Sequence, residues 1–580
     1  MVRRPAIFAR AASAPLAARI AEASGGDIVE HADGALIASL QTAFRDERPI
    51  IAILPPPILI RALASLLDSK FTDPPVVSVT SDGRFVIPLL GLNHGAVALA
   101  ARIAEAIGAT RAGGAATEAR FGIALDDPPT GYRLANPTDY KDFAVSLLAG
   151  EAVSIAGSAP WLVPLPKRPD APLRITLTEQ TMEGSPAHLV FHPATLAVGV
   201  GCERGTSLRE VADLVAQTLR GSNLSPAAIA CYASIELKED EPAIASLGDR
   251  DHVRFFTAEE LAEQSARIAN PSALVERETG TPSVAEAAAL AAAGADAELI
   301  VPKTKSRRAT CAIARARAPI LSLGGRPRGR LAVIGLGPGD PGMRTPAVQH
   351  ALAQATDWVG YGLYLDLAAD QYINQTLHNF ALGEEEARVR HAIALAKEGK
   401  HVALLCSGDA GIYAMAALVY ELLELEPTRV EVEVLPGISA FQAAAAKAGA
   451  MIGHDFCCIS LSDLLTPWPV IEKRIRAAAE GDFVVAFYNP RSAKRRDQIE
   501  RAMAILSQYR PPDTPVVIAS NLGRKEESVA IVPLSEFRAQ IVDMMTLVMV
   551  GSSQSRAFRR GDGMACAYTP RGYAARRTGG

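Results

Sequence analysis

Three short loops carry the residues best placed to do chemistry. Gly335-Leu336-Gly337-Pro338-Gly339-Asp340-Pro341 follows the apolar run 331–334, and Cys406-Ser407-Gly408-Asp409-Ala410-Gly411-Ile412-Tyr413 closes the run 402–406. Leu435-Pro436-Gly437-Ile438-Ser439-Ala440 follows 430–434. Glycine lets a backbone turn tightly and approach a ligand closely. Asp409 at a strand end can accept hydrogen bonds from a ribose or an amino group; it can equally be the N-cap of the next helix. Ser439 has the same capping alternative before the helix expected over 440–448. A dinucleotide fingerprint needs Gly-x-Gly-x-x-Gly running into a helix. Here the third glycine comes one position early, Pro338 and Pro341 interrupt the amides, and the acidic residue about 20 positions on, Asp357, lies in a separate apolar segment. A nicotinamide-dependent oxidoreductase is therefore the distant alternative, and a plain tight turn remains open for this loop.

These loops need a sheet to carry them. The runs 50–54, 76–79, 196–200, 331–334, 402–406, 430–434, 483–487, 516–519 and 546–550 read as buried strands, each followed by a turn and a helix-period segment. That alternation predicts an α/β multidomain chain with largely parallel sheets. In such sheets ligands bind beyond the carboxyl ends of the strands. A length of 580 residues suggests about three or four domains. Two breaker-rich stretches look like joints: 160–172, with five prolines, and 315–330, with Arg, Pro and Gly mixed. The expected divisions are 1–140, 141–195, 196–318, a linker 319–328, and 329–580.

The net charge of −4 offers no basic footprint for nucleic acid. Seven scattered cysteines lack zinc-site spacing, so no metal is expected, and they fit a reducing, cytoplasmic setting. The first 23 residues read as a short amphipathic helix rather than an export signal, and nowhere do about 18 apolar residues run unbroken as a membrane span requires.

Taken together, 333–341, 407–413 and 436–440 resemble the three signatures of the tetrapyrrole (corrin and sirohaem) methyltransferases. His454-Asp455-Phe456, the run from Ser460 to Trp468, Phe487-Tyr488-Asn489-Pro490-Arg491-Ser492 and Tyr568-Thr569-Pro570-Arg571-Gly572-Tyr573 narrow the resemblance to the precorrin-3B C(17)-methyltransferases, over residues 329 to about 574. The resemblance implies a two-lobed fold with S-adenosylmethionine in the cleft. Pro338, Gly408, Asp409, Ala410, Tyr413, Ser439 and Ala440 would line the cofactor, and Tyr488, Asn489, Asn521 and Thr546 would complete its pocket. It also implies methylation of precorrin-3B at carbon 17 with ring contraction to precorrin-4 in cobalamin biosynthesis, and a homodimer formed through this domain. A sulfonium donor is already activated, so alignment and exclusion of water suffice, and no catalytic triad is expected. His454 is the candidate for proton handling, against a structural histidine. A polycarboxylate macrocycle as substrate calls for cations. Arg491 and Arg524 are the expected contacts, while Lys494, Arg495 and Arg496 read as a solvated face.

Before the second joint, Gly199 to Gly205, Ala233 to Lys238, Gly280 to Glu286 and Pro302 to Lys305 resemble the cobalt-precorrin-5A hydrolases, across roughly 25 to 318. The chain departs from that family at Gly91-Leu92-Asn93-His94-Gly95-Ala96-Val97-Ala98 and over 54–61, which counts against lactone hydrolysis. Glu203, Glu236 and Lys238 could do acid–base work or be satisfied structural polars. The alternative function is a cobalt-precorrin-3 methyltransferase fused to an active lactone hydrolase.

Overall fold

The computed structural model describes all residues except 1–3, 30–34, 70–71, 93–94, 113–115, 373, 493–495 and 574–580. The chain divides into two compact units, Met1–Pro327 and Arg328–Gly580. The division falls inside the Arg/Pro/Gly-rich stretch 315–330. Each of the nine apolar runs becomes a strand, several extended by one or two residues.

The first unit holds three sheets. The first is six-stranded and is ordered Asp27–Ile28, Ala6–Phe8, Ile50–Ala52, Val76–Val79, Phe85–Leu90, Thr110–Arg111, with Val76–Val79 and Phe85–Leu90 its one antiparallel pair among the described residues. Ala6–Phe8 corrects the expected N-terminal helix: Ala6, Ile7 and Phe8 are all fully buried between two parallel neighbours, and the helix begins only at Ala14. The second sheet, four-stranded, joins Tyr132–Leu134, His188–Pro193, Leu173–Leu177 and Val153–Ala156. The proline-rich stretch 160–172 is thus no joint between domains. It crosses over between the parallel neighbours Val153–Ala156 and Leu173–Leu177 inside one sheet.

The third sheet runs Val253–Phe256, Ile229–Ile235, Leu196–Cys202, Ala309–Arg315, Glu298–Lys305. The helix Val284–Ala293 lies directly on Leu196–Cys202. A Cβ at Gly199 would stand 1.9 Å from the Ala285 carbonyl oxygen and 2.6 Å from the Ala289 nitrogen. The helix is apolar all round and buried along almost its whole length, as a helix covered on every side must be. Its one acid, Glu286, is fully buried and accepts from the Ala269, Asn270 and Lys303 N–H groups and from the Asn270 side chain. Burial raises the Glu286 carboxyl, and the Asn270 side chain, the Lys303 and Asn270 N–H groups and the Lys303 charge bring it below its ordinary range.

The second unit has two lobes. In the first, five parallel strands are ordered Thr376–Phe380, Asp357–Tyr361, His401–Cys406, Arg330–Gly335, Glu431–Leu435. In the second they run Phe456–Ser460, Val484–Tyr488, Thr546–Val550, Pro515–Ser520, Ser528–Pro533. Only the first pair of that lobe is parallel; the other three are antiparallel. This corrects the expectation of largely parallel sheets there. Apolar cores cover both faces of each sheet, so the strands read as unbroken hydrophobic runs whichever way they point.

The tight helix–strand contact at Gly199 predicts that Gly199→Ala destabilises the first unit by about 3 kcal/mol, the upper range for overpacking. Gly221→Ala, at a helix end with open space around it, leaves stability unchanged or slightly raised. Urea unfolding of the two variants checks the contrast.

Candidate active site: a cleft at the glycine-tipped strand ends

The three glycine loops follow three adjacent strands, His401–Cys406, Arg330–Gly335 and Glu431–Leu435. They meet backbone to backbone. A Cβ at Gly437 would stand 2.2 Å from the Gly408 oxygen and 2.4 Å from the Gly335 oxygen; one at Gly335 would stand 2.6 Å from the Gly437 nitrogen. Gly337 and Gly408 exchange N–H to carbonyl bonds of 3.0 and 2.8 Å. Asp409 ties the set together: one carboxylate oxygen accepts from the Gly411 N–H at 2.8 Å, the other from the Gly437 N–H at 3.0 Å. Asp409 is therefore not the cap of the following helix, which starts at Met415. Ser439 is the N-cap of Ala440–Ala448, and its N–H donates to the Gln442 side chain at 2.9 Å.

Above these loops lies a cavity of about 430 Å³. Pro338, Gly408, Asp409, Tyr413, Ser439 and Ala440 line it from the first lobe's loops, and Tyr488, Asn489, Asn521 and Thr546 from the second. Ala410 is fully buried beneath the loop, off the wall. Tyr413, Asn489 and Asn521 hold φ of +53°, +50° and +51°. Backbone strain of this kind in non-glycine residues clusters at working sites. Tyr413 donates its hydroxyl to the Cys458 carbonyl at 2.8 Å and packs against Tyr488, ring centroids 5.3 Å apart. Burial pushes both phenols above their ordinary range. Thr546 bonds Asp543 at 2.6 Å and Ser520 at 2.8 Å, which fixes its hydroxyl.

Arg524 lines the cleft as well. Its Nε donates to the Pro338 carbonyl at 3.2 Å and Nη2 to the Ser407 hydroxyl at 3.4 Å, so a second-lobe side chain holds two first-lobe loops. Burial lowers the guanidinium from its ordinary value. Arg491 is elsewhere: it is not on the cavity wall, and its Nη1 donates to the Ala539 carbonyl at 2.6 Å. Its expected substrate contact is corrected on that ground. His454 sits in an exposed turn off the cavity wall. Of the flanking cations, Lys494 and Arg495 lie outside the described residues, and Arg496 is exposed.

Sequence reasoning missed Tyr361, Leu363 and Tyr364 on the wall, and Met544 and Met545 opposite. The first three immediately end or follow the strand Asp357–Tyr361, where the strand-end rule alone would have found them. Asp357 is buried at the start of that strand and is engaged by His378 Nε2 at 2.8 Å and Lys400 at 3.7 Å. Burial raises its carboxyl; His378, Thr356 and Lys400 together bring it below its ordinary range. It is no free acceptor for a ribose.

In the first unit Glu203 pairs with Arg308 at 2.9 Å, and Glu236 pairs with Arg326, which also reaches Glu239 at 3.2 Å. Lys238 is half-buried near the Cys202 thiol, which burial raises above its ordinary value. Asn93 and His94 lie outside the described residues, and residues 56–61 belong to the helix Pro56–Leu63. Among the described residues no His, Cys, Asp and Glu group is arranged to hold a metal, and no helix is long and apolar enough to cross a membrane.

Removing the Asp409 carboxylate strips two backbone N–H groups of charged acceptors. Asp409→Ala is expected to cost about 2–3 kcal/mol, read as a lowered unfolding midpoint, while the loss of an exposed carboxylate such as Glu386→Ala stays within about 0.5 kcal/mol.

Three families match stretches of the chain. Residues 330–538 match the Tetrapyrrole (Corrin/Porphyrin) Methylases, 196–314 match Cobalamin synthesis G C-terminus, and 38–118 match Cobalamin synthesis G N-terminal. The chain is 45% identical over 250 residues to the cobalt-factor III methyltransferase of Priestia megaterium, covering 42% of this chain and 45% of that one. It thus spans less than half the length of that relative. It is 42% identical over 252 residues to the precorrin-3B C(17)-methyltransferase of Sinorhizobium sp, covering 42% of this chain and 98% of that one. The crystal structure of the methyltransferase CobJ matches at 43% identity and a TM-score of 0.40, covering 42% of this chain and all of that one. Through its second unit, the chain belongs to the tetrapyrrole methylases.

Proposed function

We propose that the second unit transfers the methyl group of S-adenosylmethionine to carbon 17 of precorrin-3B, with ring contraction to precorrin-4, in cobalamin biosynthesis. One observation carries the reading. Glycine loops from three adjacent parallel strands converge on a single cavity, and ten of the eleven residues assigned to the cofactor lie on its wall. Methyl transfer from S-adenosylmethionine is the activity of the family matched by 330–538. The donor set fits a nucleoside with an amino-acid tail: open backbone at Gly408, the Asp409 carboxylate, and the aromatic faces of Tyr413 and Tyr488.

When bound, the sulfonium supplies an already activated methyl group. The chain's residues have to align it and keep water out. Asp409 fixes the loops beneath, Arg524 holds the lobes at a set separation, and Leu363, Met544 and Met545 dry the mouth. Tyr488 is held by the Phe441 N–H, which donates to its hydroxyl at 3.3 Å. Asn521 and Thr546 complete the wall, and Arg524 is the cation proposed for the substrate. His454 is left with no step, being exposed and off the wall.

The assignment goes with a methyltransferase domain over 329–580, a linker at 319–328, and hydrolase-like domains at 1–140 and 196–318 flanking a middle region. For the first unit the reading is a module that handles the same tetrapyrrole rather than a lactone hydrolase, supported by the arginine pairing of Glu203 and Glu236. Self-association through the methyltransferase domain belongs to the proposal. It is supported by Leu464 and Leu465, 83% and 92% exposed on one loop.

Calorimetric titration separates the reading from a nicotinamide enzyme: the full chain is expected to bind S-adenosylhomocysteine and not NADH, and the reverse result overturns it. Gly437→Ala, whose methyl would enter the Gly408 and Gly335 carbonyls, is expected to weaken S-adenosylhomocysteine about 100-fold, the equivalent of roughly 3 kcal/mol of overpacking. Mass spectrometry after incubation with the methyl donor and precorrin-3B, or its cobalt form, identifies the ring used. Turnover of the cobalt form alone favours the cobalt-dependent alternative.

A further inference from the structure

A buried arginine and an arginine on the cleft wall of the second unit stand without a carboxylate. Arg388, in the helix Glu385–Lys397, is 2% exposed. Its Nη2 donates to the Ala381 carbonyl at 3.0 Å, and its Nε has no hydrogen-bond partner. Ala381 immediately precedes Leu382, which lines the cleft. Arg524, on the wall itself, bonds among the described residues a carbonyl, a hydroxyl and the Met545 sulfur at 3.8 Å. Among the described residues neither guanidinium has a carboxylate within ion-pair distance.

A buried, uncompensated guanidinium is expensive to keep, because burial removes its hydration and nothing repays it. Elsewhere in the same unit buried arginines are matched: Arg344 pairs with Asp370 at 2.8 Å and Arg510 with Asp482 at 2.8 Å. Among the buried arginines the contrast singles out Arg388, and Arg524 is set apart by its place on the cleft wall. Tyr364 lines the same cleft as Arg524 and Leu382 and packs on the first lobe's core. Burial raises its phenol, and both arginines act on it in the opposite sense.

We propose that Tyr364, Arg524 and the buried Arg388 form a carboxylate-recognising corner of the cleft. Tyr364 and Arg524 supply the donors at the wall, and Arg388 supplies positive potential from behind it, in a low-dielectric setting where charge acts over longer range. The missing counter-charge arrives with the ligand. It is either an acid arm of the tetrapyrrole or the amino-acid carboxylate of the methyl donor; both present the same group. This deepens the proposed function and rests on that cleft being the working site.

The test uses the full chain and three probes: S-adenosylhomocysteine, 5′-methylthioadenosine, which lacks the amino-acid tail, and uroporphyrin III, an octacarboxylate ring. Arg388→Met and Tyr364→Phe are each expected to weaken one carboxylate probe about tenfold, the scale of a lost charge-assisted hydrogen bond, and to leave 5′-methylthioadenosine within twofold. Which probe suffers identifies the source of the carboxylate. Arg388→Lys, which keeps the charge, is expected to recover most of the loss. If Arg388→Met does not fold, Tyr364→Phe and Arg524→Gln carry the same comparison from the wall. Unchanged affinity for both carboxylate probes overturns the proposal, as does an equal loss on all three, which marks a collapsed cleft. A wild-type chain that binds neither nucleoside refutes the proposed function instead.

Discussion

The second unit depends on backbone meeting backbone where three parallel strands end. Gly335, Gly408 and Gly437 bring their peptide groups so close that a methyl group at Gly335 or Gly437 would overlap a neighbouring main chain. That contact needs glycine on adjacent strands at matching depth, and the register supplies it: Ile334 pairs with Leu405 on one side and with Leu435 on the other. With no side chains in the way, peptide N–H groups reach Asp409, and the floor of the cleft is fixed without any long side chain having to be ordered. Little entropy is spent on holding it.

On that floor the second lobe rests through Asn521 to Arg524. Asn521 and Gly523 both take positive φ, and the turn they make lays the Gly523 backbone against Gly339 and Asp340. Gly523 N–H donates to Glu527, which in turn pairs with Lys447 at 2.6 Å. The strained residues of the site are thus all fastened by something else: Tyr413 by the Cys458 carbonyl, Asn489 by the Ser460 hydroxyl at 3.2 Å, Asn521 by its turn. Strain that is over-determined in this way persists because relaxing it breaks several contacts at once. A floor of peptide groups and a roof pinned by one arginine describe a cavity shaped before any ligand enters, which suits a reaction limited by alignment.

Much of this was legible in the sequence, for a physical reason. Strands buried on both faces read as unbroken apolar runs, and glycine after such a run marks a tight strand end, so the three loops and the helix Ala440–Ala448 could be located from residue order. Strand direction could not, because hydropathy carries no sign. The second lobe's Thr546–Val550 looks the same to a periodicity argument whether it runs with Val484–Tyr488 or against it, and it runs against. Three residues are too few to show a period, so Ala6–Phe8 reads as part of a helix and folds as a strand. Arg491 and Arg524 were indistinguishable as cations after turns. Only the fold reveals that one guanidinium is spent on Ala539 and the other faces the cleft. Arg388 carries no local signal of its own; among the described residues its meaning comes from the carboxylate it lacks.

The claim that the cleft holds a methylated sulfur nucleoside on its glycine floor is tested most directly by a crystal structure of the full chain grown with S-adenosylhomocysteine. The account predicts density for the ligand in the cavity, in contact with the loop 407–413 and the turn 521–524, with the Gly335, Gly408 and Gly437 backbones in mutual contact beneath it. Density at any other place, or glycine loops drawn apart with no cavity between the lobes, would contradict it.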